Sequence, residues 1–410
     1  MESLYVWSEQ GGFSIGRKWV ANSARSCYLN LTLEYGMNGK RKIRVALLFG
    51  GRSTEHEVSL TSAIGILEHI HKEKYDILPV KISREGVWML LPDVHSLDSV
   101  GKLEKSRGVR IVAGDPKARG FFCVGKSSKG CSFDPKSHIP VDVVFPVLHG
   151  TFGEDGTVQG LLSMADLPCV GAGVLASALG MDKILMKQMF FQNDLPSSDF
   201  MWFLRKDWQK SPRIIQKGVR EEIGFPCFVK PANTGSSVGI QKVHKEEEFS
   251  FCVSRAAEYD RKILVEKALD ARELECSVLG NDEPKASAVG EIISCNEFYD
   301  YEAKYIADGS RTIVPADIPA SLSEEVRRMA VAAFKAVDCS GMARVDFFLE
   351  RQTNRIFINE LNTIPGFTPI SMYPKLWEAS GISYAQLIDR LIELALERYA
   401  DLSHSKFRRE

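Results

Sequence analysis

Gly341-Met-Ala-Arg344-Val-Asp346-Phe-Phe-Leu349, followed by Ile356-Phe-Ile-Asn359-Glu360-Leu-Asn362-Thr-Ile-Pro365-Gly366, decides how this chain is read. Two apolar runs of strand length carry Asp346, Glu360 and Asn362 to one place. Glu360 and Asn362, two apart in an extended segment, share a face and stand just before a Pro-Gly turn. Acids at strand ends ordinarily cap turns or face solvent. Three hard oxygen donors at this joint spacing, with room for water, instead suit Mg²⁺ carrying nucleotide phosphates.

The chain has 410 residues, 44% of them hydrophobic, enough for two or three cores of ordinary domain size. Its formal net charge is −1, so no global field draws nucleic acid or an anionic membrane, and no apolar run reaches spanning length. An acidic ligand must be held locally. The nine cysteines form no C-x-x-C pair, the pattern of reduced thiols in cytosol rather than of a disulfide framework or zinc site.

Residues 1–36 read as a poorly ordered extension: Glu2, Glu9 and Glu34 balance Arg17, Lys18 and Arg25, and there is no continuous apolar segment of signal-peptide type. Met37 offers an alternative start, and the folded part is expected from about residue 40. From Ile43 onward strands and helices alternate. Ile43 to Phe49 runs through Gly50-Gly51 into a helix that includes Val58 to Ile70; Tyr75 to Ile82 and Val141 to Leu148 are further strands, as in an open α/β domain. A helix over Asp182 to Phe191 and strands over Cys227 to Lys230 and Ser237 to Val243 follow, and Tyr384 to Glu397 has the spacing of an amphipathic helix.

Phe228-Val-Lys230-Pro-Ala-Asn-Thr-Gly235-Ser236-Ser237-Val-Gly239 places a lysine at a strand end before a loop whose glycines let backbone N–H groups approach an anion. It reads either as a lid over phosphates or as a hairpin turn with a solvated lysine. No G-x-x-x-x-G-K-[ST] occurs, which removes the P-loop class. Gly171-Ala-Gly173-Val-Leu-Ala176 imitates a dinucleotide fingerprint, but it lacks a full preceding strand and a clear acid about 20 residues on.

With these residues assembled, the chain resembles the D-alanine:D-alanine ligases of the ATP-grasp superfamily over roughly residues 43 to 398. The resemblance rests on Gly50-Gly-Arg-Ser-Thr-Glu55-His-Glu57-Val-Ser59, His149-Gly-Thr-Phe-Gly-Glu154-Asp155-Gly, Met181-Asp-Lys183, the Lys230 to Gly239 loop, Glu302-Ala-Lys304-Tyr305 and the opening segment. It implies a three-domain α/β ATP-grasp fold: an N-terminal open α/β substrate domain (40–170), then two α+β domains (171–266 and 267–400) sandwiching ATP, with 1–39 as extension. It also implies phosphorylation of one D-alanine carboxylate by ATP and attack by a second D-alanine amine, giving dipeptide, ADP and phosphate.

The same resemblance assigns roles. Asp346, Glu360 and Asn362 correspond to ligands of two Mg²⁺ (or Mn²⁺) ions. Lys183, Lys230 and Lys304 correspond to phosphate-binding lysines, Glu266 and Leu269 to the adenine hinge in Val265-Glu-Lys-Ala-Leu269, and Glu273 to a ribose binder. Read from the residues alone, Val-Glu-Lys favours a strand end with a surface pair, and the Glu266 and Glu273 assignments come from the resemblance. Glu55 corresponds to the holder of the first D-alanine's ammonium, Ser236 and Tyr305 to its hydrogen-bonded partners, and His149 to a substrate-positioning group. Arg344 and the Gly366 N–H correspond to oxyanion stabilisers, and Ser371 to a binder of the second carboxylate.

Tyr305 points away from D-alanine:D-lactate ligases, which lack this tyrosine or its loop context, and residues 296–312 are expected to form a closing loop. The resemblance further implies a cytoplasmic homodimer making a peptidoglycan precursor. The alternatives are a D-alanine:D-lactate or D-alanine:D-serine ligase, a nucleotide-binding regulator that never turns ATP over and, a distant third, a Rossmann dehydrogenase, which would require NAD binding at Gly171 to Ala176.

Overall fold

The computed structural model describes residues 41–92, 106–112, 119–127, 130–293 and 311–406. The extension expected over 1–39, Lys304, Tyr305 and residues 296–310 of the expected closing loop lie outside them.

Ile43–Gly50 (β1) is fully apolar from Val45 to Phe49, as a strand buried on both faces must be. It pairs in parallel with Tyr75–Ile82 (β2) and with Val143–Val147 (β7). Antiparallel strands Trp88–Leu90 (β3), Arg107–Ile111 (β4), Gly120–Ser127 (β5) and Gly130–Pro140 (β6) extend this sheet to seven strands in the order β6-β5-β4-β3-β2-β1-β7. β3 to β6 thus form the antiparallel wing of the first sheet.

A second, antiparallel sheet has the order β10-β9-β11-β8, built from Phe200–Leu204 (β8), Cys227–Pro231 (β9), Gln241–Val243 (β10) and Lys262–Lys267 (β11). The strand expected from Ser237 begins only at Gln241. Ser236 and Ser237 have φ of +47° and +58°, left-handed values that take the chain out of any ladder and close a turn instead. The third sheet, order β14-β13-β12-β15-β16, comprises Ala271–Gly280 (β12), Lys285–Ile293 (β13), Arg311–Ile313 (β14), Gly341–Glu350 (β15) and Ile356–Asn362 (β16).

Three packing facts position the cleft between these sheets. The helix Tyr384–Leu402 lays Leu387, Ile388, Leu391 and Ile392 into one cluster with Val45, Leu47 and Phe145 of β1 and β7. Its Asp389 accepts from Lys74 (2.5 Å) and contacts His71 (2.9 Å). Amphipathic spacing foretells that such a helix buries a face, not which sheet it covers. Gly171 and Gly341, meanwhile, meet back to back: a Cβ on Gly341 would stand 2.9 Å from the Gly171 Cα. The first glycine of the false dinucleotide fingerprint therefore serves backbone contact between segments, and Arg398 fastens the joint by donating to the carbonyls of Cys169 (2.8 Å) and Gly171 (2.5 Å).

Cys123, Cys169, Cys227, Cys252, Cys276 and Cys339 are free thiols, all but Cys123 buried. No helix among the described residues is long and apolar enough to cross a membrane.

Candidate active site

One cleft is lined by Glu55, His149, Lys183, Ser236, Arg344, Glu360, Asn362, Gly366 and Ser371, residues spread over more than 300 positions of sequence. Asp346 joins them through the ladder, because β15 and β16 set it opposite Glu360 while Arg344 stands opposite Asn362. Asn362 Nδ2 donates to Asp346 Oδ2 at 3.1 Å. Among the described residues no three His, Cys, Asp or Glu side chains converge as a metal site; the candidate set is two carboxylates and an amide. That chemistry is all hard oxygen, which fits Mg²⁺ or Mn²⁺.

Arg344 is the most heavily engaged cation here. Its Nε and Nη2 donate to the two Asp346 oxygens at 2.7 Å each, and Nε lies 3.0 Å from Glu275 Oε2. Burial would lower the guanidinium's pKa, but Asp346 and Glu275 outweigh it and hold the group well above its ordinary value. Glu275, which stands opposite Asp346 on β12, carries no family role in the sequence reading. Its signal was available, since it shares a strand face with Glu273.

Lys183 opens the helix Lys183–Gln192, whose N-cap Asp182 accepts from the N–H groups of Ile184 (3.1 Å) and Leu185 (3.2 Å). Its Nζ donates to the Thr234 carbonyl at 2.7 Å and lies 3.8 Å from Glu360. Lys230 and Glu266 meet across β9 and β11 with Nζ 2.6 Å from Oε2, and Lys187 approaches the other oxygen at 2.5 Å. Glu266 is therefore not the surface pair that Val-Glu-Lys suggests: it is 1% exposed. Burial alone would raise its pKa, but the two lysines pull it down to about 2. Its carboxylate is committed to the two lysines. Leu269, half-buried, lies between β11 and β12, and Glu273 stands near the start of β12, beyond the residues lining the cleft.

The Lys230 to Gly239 loop reaches across the cleft. Asn233 is tied to Asp260 through its N–H and side-chain amide, both at 2.8 Å, and Ser236 donates to Glu55 Oε1. Glu55 is buried, yet its Oε2 has no hydrogen-bond partner among the described residues. Two glycines make this approach possible. A Cβ on Gly150 would stand 2.5 Å from that oxygen, and one on Gly235 would overlap it. A buried carboxylate oxygen left unpartnered is costly, and a cation docking there relieves it.

His149 is a brace. Its Nδ1 donates to the Ile364 carbonyl (2.9 Å), and Nε2 faces the Ser62 hydroxyl (3.1 Å), which itself accepts from the Phe367 N–H (3.2 Å). Burial lowers its pKa, so the imidazole is neutral with the proton on Nδ1. Glu154, given no role by the sequence reading, ties the same two loops by accepting from the N–H groups of Gly150 (2.8 Å) and Ile364 (2.9 Å). Burial and the neighbouring Glu55 push its carboxyl up to about 8. Gly366 backs onto Ser371, whose Oγ accepts from the Thr368 N–H at 3.0 Å; a Cβ on Gly366 would stand 2.6 Å from that oxygen.

Two family models match the chain, one described as D-ala D-ala ligase N-terminus over residues 44–172 and one described as D-ala D-ala ligase C-terminus over residues 189–393. A curated D-alanine--D-alanine ligase of Thermoanaerobacter sp. (strain X514) is 51% identical over 360 residues, covering 87% of this chain and 98% of that relative. Among solved structures, the D-alanine-D-alanine ligase from Coxiella burnetii is similar at TM-score 0.77 and 38% identity, covering 89% of this chain and 97% of that one. The VanG D-Ala:D-Ser ligase from Enterococcus faecalis is similar at TM-score 0.77 and 35% identity, covering 87% and 100% respectively.

Proposed function

The chain belongs to the D-alanine:D-alanine ligase family and has its ATP-grasp fold, and from that premise we propose that it joins two D-alanines through an acyl phosphate at the expense of ATP. The observation that carries this reading is Glu55, a buried carboxylate at the cleft with one oxygen held by Ser236 and the other unpartnered among the described residues. An ammonium docked there fixes the first D-alanine, and its carboxylate oxygen attacks the γ-phosphorus as the bond to ADP breaks. The second amine then adds to the acyl carbon, the oxyanion is met by Arg344 and the Gly366 N–H, and phosphate leaves. Ser371 faces the second carboxylate. Lys183 and Lys230, with Lys304 beyond the described residues, hold the triphosphate.

Asp346, Glu360 and Asn362 would hold two Mg²⁺ or Mn²⁺ ions, which neutralise phosphate charge when bound. Leu269 and the main chain at Glu266 receive adenine, and Glu273 the ribose. The reading extends to a cytoplasmic homodimer supplying a peptidoglycan precursor, with 171–266 and 267–400 as the two ATP-binding domains.

ADP release with ATP, Mg²⁺ and D-alanine, with products identified by mass, tests this. D-alanyl-D-alanine from the D-isomer alone supports it; intact ATP under all conditions overturns it. The equal TM-score of the D-Ala:D-Ser neighbour favours D-serine as the second reading, so D-serine and D-lactate are offered in parallel.

Two further outcomes follow from the site. Gly235→Ala is expected to raise KM for D-alanine up to ~100-fold, since the added methyl pushes the lid off Glu55; unchanged steady-state kinetics would sink the contact. D-alanine binding at about pH 7.5 is expected to release protons. Glu154 is held protonated below about 8, and an ammonium beside Glu55 favours its ionised form, so binding lowers that pKa and the proton leaves. Calorimetry in two buffers of unlike ionisation heat measures it, and Glu154→Gln should abolish the buffer dependence.

A further inference from the structure

Beside the cleft stands a buried triad of two cations and one anion: Lys187, Lys230 and Glu266. The reaction as derived uses Lys230 and leaves Lys187 unexplained. We propose that Lys187 is a positioning residue, the resident counter-ion of Glu266 that frees Lys230 to move from that carboxylate to the nucleotide's phosphates. The inference rests on the reading of this cleft as an ATP site and deepens it.

The two lysines differ in how many donors they have committed. An ammonium carries three N–H groups. Lys187, 1% exposed, directs them at Glu266 Oε1 (2.5 Å), Ser197 Oγ (2.7 Å) and Ser198 Oγ (3.4 Å). Ser198 also donates to Glu266 Oε1, closing a small network around that oxygen. Lys187 is saturated and enclosed, so it has no reason to leave. Lys230 has a single hydrogen bond among the described residues, to Glu266 Oε2 at 2.6 Å, and rests against the Phe228 ring at 5.5 Å. Two of its donors are available, and it sits at the base of the loop that carries Ser236 to Glu55.

The charge count points the same way. Two lysines on one carboxylate leave an excess positive charge in a desolvated setting, which an anion can neutralise. Were Glu266 served by Lys230 alone, the pair would be balanced, and withdrawing Lys230 would leave a bare buried carboxylate, the arrangement that costs most. With Lys187 in place the carboxylate keeps a partner whichever way Lys230 points. Lys187 also lies one helical turn from Lys183, on the same face of one helix, so a single element sets both the phosphate lysine and the anchor.

The test is Mg·ATP binding to the full chain by calorimetry, with D-alanine binding measured in parallel. Lys187→Met is expected to weaken ATP binding roughly tenfold or more while leaving D-alanine affinity unchanged, because Lys230 is then pinned to Glu266. Lys187→Met combined with Glu266→Gln is expected to return ATP affinity to within about threefold of the parent, since no carboxylate then needs a counter-ion. A single variant that binds ATP like the parent, or a double variant no better than the single, overturns the proposal while leaving the ATP site intact. A parent that binds no ATP overturns both. If the single variant fails to fold by circular dichroism, the double variant decides: near-parent affinity supports the proposal and a tenfold loss overturns it.

Discussion

Replacing Glu360 by glutamine is expected to lower kcat roughly 10³-fold, about 4 kcal/mol of lost transition-state stabilisation, while the melting temperature stays where it was. The carboxylate is one of two in the oxygen set formed by β15 and β16, and glutamine keeps its shape while removing the charge that a divalent cation needs. Little folding energy goes with it: the side chain is 22% exposed, and its ion pair with Lys183 is loose at 3.8 Å. The accompanying signature is a raised Mg²⁺ requirement, read by titrating the metal at saturating ATP. A variant of near-parental kcat would remove Glu360 from the metal set.

Arg344→Lys is expected to lower kcat by ~10² to 10³-fold with KM for ATP little changed. Lysine keeps a positive charge between Asp346 and Glu275 but cannot reproduce the fork that grips both Asp346 oxygens at 2.7 Å. The cation is then free to swing away from the place where the oxyanion develops. Arg344→Met goes further, leaving two carboxylates facing each other with their shared cation gone, at a cost of about 3–5 kcal/mol in fold stability. Comparing denaturant midpoints for the two variants separates the roles. Equal loss of stability in both would make Arg344 a structural ion pair and nothing more.

The sequence carried the site's donors better than their couplings. The convergence of Asp346, Glu360 and Asn362 was legible because strand alternation puts Glu360 and Asn362 on one face, and the pairing of β15 with β16 sets Asp346 opposite Glu360 just before the register shifts at Phe347. β1, β2 and the opening of the helix at Lys183 were legible for similar reasons of apolar run and cap. Lys187 was not, although it sits four residues after Lys183, because an unremarkable lysine gives no sign of being buried until β11 delivers Glu266 to it. Glu154 stood inside a quoted motif, but its function of tying Gly150 to Ile364 depends on a contact 210 residues away. The left-handed Ser236 and Ser237 defeated a strand reading because serine carries no strong local mark for positive φ. Which sheet the helix Tyr384–Leu402 covers depends on long-range packing alone.

That last contact bears on synthesis. Val45, Leu47 and Phe145 share a core with Leu387, Leu391 and Ile392, which are made more than 200 residues later. On the ribosome the first sheet is assembled hundreds of residues before its cover exists, so an apolar face waits through the making of the other two sheets. The first sheet of this enzyme is therefore not a unit that can finish folding as it emerges; its exposed interval lasts until the helix that covers it has been made.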